Sequence, residues 1–333
     1  MPARNIHWRI PGRCGKYVSV GALTAGTLLL AACATSDLRA IPTIFSSTLS
    51  RTSAPIAVAA TPASLKVMTL NMGHSRGKGF HQMFQRSSTA VSNLNAVLGV
   101  IGQQNPDIVA LQEADGPSFW SGNFNHVEYL ARHRSFARHV RGEHARGIKL
   151  SYGTGLLSNL ELWDPLAVTF DPNLSLAPKG FLVSALTWPA PPFAAVDVVS
   201  VHLDPLSRSA RKQQAEELIA TLQNRKRPVI VMGDFNTDWQ RTDSTLKLIA
   251  RELGLRAYQP QNGSLHTFPR FKKRLDWILI SPEFEFLSYR VLADRVSDHL
   301  GIVAELGLVT DQQRDALPRM ASQDPQPRYV STP

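Results

Sequence analysis

Cysteine is nearly absent from this chain. Its 333 residues hold two, Cys14 and Cys33. Everything downstream of Cys33 is therefore built without a disulfide and without a thiolate metal site, and its stability has to come from an apolar core. Acid is missing from the start: Arg4, Arg9, Arg13 and Lys16 all precede the first Asp or Glu. The uncharged apolar stretch that follows, Tyr17 to Ala32, is sixteen residues long. As a helix it would reach about 24 Å, short of the roughly 30 Å hydrocarbon core of a bilayer, so a spanning anchor is the weaker reading. No segment recurs with a period of about 20–50 residues, which excludes solenoids and propellers.

A basic start followed by an apolar stretch ending in small residues is the layout of an export signal. The end of the stretch, Leu30-Ala31-Ala32-Cys33, resembles the bacterial lipobox. That resemblance implies cleavage after residue 32 and lipid on Cys33. Ala34, in place of an Asp after the cysteine, implies an outer-membrane destination facing the periplasm. The alternative is an ordinary small-residue cleavage site with a chance cysteine. Residues 1–32 are thus expected to be a signal peptide. Residues 33–63, rich in Ala, Ser, Thr and Pro, are expected to be a lipidated tether. Residues 64–308 are expected to form the single domain, and 309–333 a disordered tail. The formal net charge is +10, and loss of the leader's four basic residues leaves about +6. Such a surface favours anionic partners: phosphate esters, nucleic acid or acidic lipid.

Within the domain, hydrophobic residues make up enough of the chain, 43% overall against 19% charged, for a sizeable core. Short apolar runs at 65–70, 107–111, 153–157, 168–170, 182–188, 196–201, 228–232, 275–280 and 300–306 read as strands. Segments 88–103, 208–222 and 244–253 have helical spacing. Many strands and few helices suggest an α/β fold of two packed sheets with helices outside.

Polar residues recur where these strands end. Asn71 closes KVMTLNM, Glu113 closes DIVALQE, and His202 and Asp204 close VDVVSVHLD. Asp234 and Asn236 follow VIVMG, Asp276 lies in RLDWILIS, and Asp298 and His299 open SDHLGIVAEL. Buried, uncompensated charge is costly, so acids held at strand ends need a purpose. Hydrolysis of a phosphate ester supplies one. A hard divalent cation takes oxygen ligands, for which Asn71, Glu113 and Asp298 are the candidates. His299 is a candidate base with Asp276 orienting it, His202 a candidate donor to phosphate or leaving group, and Asp234 and Asn236 a phosphate-facing pair. Gly233 would let the backbone turn closely there.

Taken in order, LNM, LQE, VHLD, GDFN, LDWILIS and SDH resemble the endonuclease/exonuclease/phosphatase family, which includes deoxyribonuclease-I-like nucleases, neutral sphingomyelinases and inositol polyphosphate phosphatases. The resemblance covers about residues 64–308. It implies a four-layer α/β/β/α sandwich with the site at one end of the sheets. It implies Mg²⁺, with Mn²⁺ as a substitute, near Asn71, Glu113 and Asp298. It also implies catalytic roles for His202, Asp234, Asn236, Asp276 and His299. Tyr152 departs from the family pattern, since Thr154-Gly155 follow it, and is expected to be a core aromatic.

Lipid anchorage and a basic surface favour a membrane-tethered phosphodiesterase acting on a lipid head group or periplasmic phosphoester. A tethered nuclease is the alternative, and a catalytically inactive binding lipoprotein is a third reading from another class. Phe119-Trp120 could face a membrane, stack on a base or pack a loop. The basic stretch from His133 to Lys149, and Lys272-Lys273-Arg274, could guide phosphate or simply be solvated faces.

Overall fold

The computed structural model describes residues 39–40, 45–46, 64–77, 87–171, 178–192 and 194–309. The expected leader, Cys33 and the expected tail from residue 310 lie outside these. Among the described residues no helix is long and apolar enough to cross a membrane.

Among the described residues fourteen strands, numbered in chain order, form two sheets. The first sheet contains β1 (Arg39–Ala40), β7 (Leu162–Thr169), β8 (Gly180–Thr187), β9 (Ala195–His202), β10 (Val229–Asp234), β12 (Asp276–Ile280) and β11 (Arg256–Ala257), in that spatial order. The second contains β13 (Phe284–Val291), β14 (Ile302–Leu308), β3 (Ser64–Asn71), β4 (Ile108–Asp115), β6 (Leu150–Ser158), β5 (Arg138–Gly147) and β2 (Phe45–Ser46). One apolar cluster fills the space between the sheets, with Val67, Ile108, Val198, Ile230, Ile278 and Ala304 among its members. Helices α3 (Arg208–Arg225) and α4 (Thr245–Leu253) cover the outer face of the first sheet through Leu218, Leu222, Leu246 and Ile249. Helices α1 (Ser87–Gln104) and α2 (His126–Arg134) cover the second through Leu94, Val97, Val127 and Leu130. This is the four-layer α/β/β/α sandwich.

Several elements differ from the expectation. The segment expected to be a lipidated tether supplies β1 and β2, which pair with β7 and β5 at the sheet edges. The basic stretch from His133 to Lys149 is not a continuous solvated face. Its first residues end α2, and Arg138–Gly147 is a strand with Val140, His144 and Ala145 buried. Helix α2 is short, but Asn125 caps it, its side chain accepting from the N–H groups of Val127 and Glu128.

Strand direction decides where the site falls. β3 runs parallel to β4, with Asn71 opposite Gln112. β9 runs parallel to β10, with His202 opposite Asp234. The carboxyl ends of each pair therefore emerge together. β12 is antiparallel to β10, so its first residue, Asp276, lies opposite Asp234. β14 is antiparallel to β3, with Ile302 opposite Thr69, so the loop before it delivers Asp298 and His299 to the same end. Just beneath this end a buried polar clasp joins the sheets. Thr69 Oγ1 donates to Gln112 Oε1 (3.3 Å), Gln112 Nε2 donates to Ser200 Oγ (3.0 Å), and Ser200 Oγ donates to the carbonyl of Leu111 (2.8 Å).

Gly233 permits a close approach of strands rather than a turn. It sits inside β10 at φ +148°, and a Cβ there would lie 2.0 Å from the carbonyl oxygen of Val201 on β9. Gly233→Ala therefore has to separate β9 from β10 and should cost more than about 2 kcal/mol of stability. Urea denaturation checks this, and a midpoint equal to wild type would refute it.

Candidate active site

The strand ends bring Asn71, His202, Asp234, Asp276 and His299 into one pocket, where none is more than 7% exposed. Charges this buried must be paired. His299 Nδ1 lies 2.7 Å from Asp276 Oδ2. The other face of the ring, Nε2, points toward Asp234 Oδ2 at 3.8 Å. His202 Nε2 approaches the same Asp234 oxygen at 3.6 Å. Asn71 reaches across from the opposite sheet, its Nδ2 donating to Asp234 Oδ2 at 2.9 Å. Asn236 stands at φ +50°, its backbone N–H donating to Asp234 Oδ1 (2.9 Å) and its side-chain amide to the carbonyl of Leu203 (2.9 Å). Both carboxylate oxygens of Asp234 are thus engaged.

The loop carrying His299 is held by hydroxyls. Ser297 Oγ donates to the carbonyl of Asn71 (2.6 Å) and accepts from the N–H of His299 (3.0 Å). Thr267 Oγ1 accepts from the N–H groups of Leu275 and Asp276, each at 3.0 Å. The Phe268 ring lies 4.9 Å from that of His299.

The electrostatics follow from this packing. Burial alone would lower the pKa of His299, but the charges of Asp276 and Asp234 and the hydrogen bond to Asp276 outweigh it and push the imidazole up to about 10. Asp234 is pushed up to about 7, chiefly by burial, against the pull of His299. His202 is held well below its usual range by burial and by the nearby Lys179 charge, so it is neutral.

Glu113 occupies the second half of the pocket. It sits at φ +51° in a bulge where β4 falls out of register with β6 between Leu111 and Ala114. The bulge turns its side chain away from the sheet and toward the site. Two cations and an imidazole whose pKa, against its burial, is raised by Glu113 and Asp115 surround the carboxylate: Arg76 Nη2 at 3.5 Å, Lys179 Nζ at 3.7 Å and His74 Nε2 at 3.4 Å. Burial opposes ionisation, yet these charges hold Glu113 well below the usual carboxylate range. His74 is itself anchored through Nδ1 to Asp115 Oδ1 at 2.7 Å, and Trp120 Nε1 donates to the other oxygen of Asp115 at 2.8 Å. Tyr152 is the core aromatic expected, packing edge-on against His74 at 5.4 Å. Trp120 is buried, whereas Phe119 is exposed.

His74, Arg76, Asp115 and Lys179 are site residues that the sequence reading missed. Two signals were available. His74 and Arg76 lie within five residues of Asn71. Lys179 directly precedes the apolar strand β8, whose Gly180 lies opposite His202.

The expected oxygen ligands, Asn71, Glu113 and Asp298, are held in different ways. The three neighbours of Glu113 stand at 3.4–3.7 Å, longer than ordinary hydrogen bonds, so its oxygens are held electrostatically but keep their lone pairs. Asn71 Oδ1 accepts one bond, from the N–H of Gly73 (3.0 Å). Gly73, at φ +55°, leaves a gap that a Cβ would fill, 3.2 Å from Asp298 Oδ1. Asp298 is exposed and stands at the pocket's rim. A second group of possible ligands is Asp234, Asp276 and His299, whose ligand atoms all lie within 4.8 Å of one another. In that group Asp276 Oδ1 is buried without a hydrogen-bond partner among the described residues.

A family model described as "Endonuclease/Exonuclease/phosphatase family" matches residues 68–299. No curated protein matches the chain. Among solved structures it is similar to an endonuclease/exonuclease/phosphatase from Beutenbergia cavernae, with 22% identity, TM-score 0.58, and coverage of 74% of this chain and 72% of that one. It is similar to the human Nocturnin catalytic domain with bound sulfate, at 18% identity, TM-score 0.57, and coverage of 80% and 97%. It is also similar to D. rerio TDP2 complexed with a single-strand DNA product, at 15% identity, TM-score 0.54, and coverage of 73% and 99%.

Proposed function

The chain belongs to the endonuclease/exonuclease/phosphatase family, whose members are phosphoester hydrolases, and from that premise we propose a membrane-tethered, divalent-metal-dependent phosphodiesterase. The observation that carries the chemistry is the buried chain Asp276–His299–Asp234, bridged across the sheets by Asn71. Its substrate is a lipid head group or a periplasmic phosphoester. Attachment is through lipid on Cys33 at the outer membrane.

Asn71, Glu113 and Asp298 would hold a divalent cation, Mg²⁺ or Mn²⁺, which would supply charge neutralisation at the phosphate and at the leaving oxygen. The chain's own side chains do the rest. His299, kept protonated by Asp276, donates to a non-bridging phosphate oxygen. Asp234 is matched to neutral pH and accepts the proton of the attacking water, while Asn71 and Asn236 fix its orientation. The sequence reading gave the base role to His299. The raised pKa values of both groups favour Asp234 for that role and leave His299 as the charge that grips phosphate. Neutral His202 donates to the phosphate or leaving oxygen, and Lys179 and Arg76 add positive charge beside Glu113.

The test is hydrolysis by the full chain in detergent with Mg²⁺, on mixed phospholipid vesicles and on plasmid DNA, with EDTA as control. EDTA-sensitive release of a phosphorylated head group is the expected result. DNA nicking with lipid untouched would replace the substrate with nucleic acid, which the TDP2 complex makes a concrete second reading. Activity on neither substrate would sink the lipid and nucleic-acid readings and leave a small periplasmic phosphoester or a catalytically inactive binding protein.

A further inference from the structure

Beyond the catalytic pocket, a cleft of about 330 Å³ opens on the far side of Asn236. Its lining includes Arg211, Asn236, Asp238, Gln240, Arg241 and Lys273. Three of these are cations and one is an acid. Each comes from a segment next to a catalytic strand end. Arg211 lies in the first turn of α3, shortly after His202 and Asp204. Asp238 and Arg241 follow Asp234, and Lys273 lies three residues before Asp276.

The cations are held by the fold. Arg211 is buried, and its Nη1 donates to the carbonyl of Asp204 at 2.7 Å. Lys273 is fixed at its backbone, where its carbonyl accepts from the N–H groups of Thr267 and Phe268, each at 2.9 Å. Arg241 leans on Asp243 at 3.3 Å, and its carbonyl accepts from Lys247 Nζ at 3.1 Å. The Asp238 carboxylate is turned to the backbone N–H of Gln240 (3.1 Å). Burial lowers the pKa of Arg211, the nearby Asp204 charge opposes that, and the Arg241 charge adds to it, so positive charge is gathered at this cleft. The run Lys272-Lys273-Arg274 is thereby divided by role. Arg274 turns inward over the Trp277 ring at 3.7 Å, whereas Lys273 faces the cleft.

We propose that this cleft is a second phosphate subsite, which takes a phosphate carried by the substrate next to the one being hydrolysed. Asn236 lines the cleft and also donates to Asp234, so the subsite adjoins the reacting phosphate. The preferred substrates are then phosphoesters with two phosphates close together. An oligonucleotide and a phosphorylated lipid head group share that chemistry. The inference rests on the phosphodiesterase reading for its meaning but not for its test.

The test begins with binding, which needs no turnover. Calorimetry compares thymidine 3′,5′-bisphosphate with thymidine 5′-monophosphate on the full chain and on the double variant Arg241→Ala/Lys273→Ala. Both substituted side chains lie outside the catalytic set. The wild type should bind the bisphosphate about tenfold more tightly, and the variant should lose that preference while binding the monophosphate unchanged. Equal binding of the two ligands by wild type, or a preference that survives in the variant, overturns the proposal. Hydrolysis then identifies the source. A variant-sensitive preference for pdTpdT over dTpdT assigns nucleic acid, and one for phosphatidylinositol 4-phosphate over phosphatidylinositol vesicles assigns lipid. A binding preference without any hydrolysis would keep the subsite and refute the phosphodiesterase reading.

Discussion

Glu113→Gln should lower metal-dependent hydrolysis on the order of a thousandfold while the protein still folds. The substitution keeps the size of the side chain and removes its charge. Two effects follow, and they can be separated. The oxygen set loses one of its two carboxylates and with it most of its affinity for a divalent cation. Arg76 and the buried Lys179 lose a counter-charge, and His74 loses one of the two carboxylates that raise its pKa. Stability should therefore fall by about 1–3 kcal/mol, without unfolding the chain. Thermal melts with and without Mg²⁺ read the first effect directly. Wild type should melt at higher temperature in Mg²⁺ because the ion binds the folded state, and Glu113→Gln should not respond. Full activity in the variant would remove Glu113 from the metal site.

Replacing His299 with Ala should cost about three to four orders of magnitude in kcat. Asp276→Asn is the more informative companion. It keeps the shape of the side chain but removes the charge that, with Asp234, holds the imidazole up near 10. A negative charge favours the protonated ring, so its removal lowers the pKa of His299. The limb of the pH–rate profile that His299 controls should accordingly move to lower pH in Asp276→Asn. An Asp276→Asn enzyme with wild-type rate and an unmoved profile would show that the pair has no catalytic part.

Much of this arrangement was legible in the sequence, for a physical reason. Parallel strands have their carboxyl ends on one side, so residues closing successive apolar runs are brought together whatever the loops between them do. Asn71, His202 and Asp234 were readable on that basis. The ring around Glu113 was not. His74 and Lys179 meet there only because β4 bulges and β8 lies beside β9, and neither fact has a local signature. Strand β5 was hidden by its charge. It reads RHVRGEHARG, yet Arg141 is paired with Glu143 and bonded to Ser151, and His144 is buried against Thr154. Helix α2 is nine residues long and overlaps a basic stretch, so composition masked its buried face.

The clasp of Thr69, Gln112 and Ser200, continued upward by the bond from Asn71 to Asp234, means that the pocket straddles a seam. Half of its groups ride on one sheet and half on the other. Catalytic alignment is therefore a reading of shear between the two layers: a slip too small to expose the core would still pull Asn71 from Asp234. On warming, turnover should fail before the core melts. Conversely, a ligand gripped from both sides would act as a rivet, slowing hydrogen exchange in strands that it never touches.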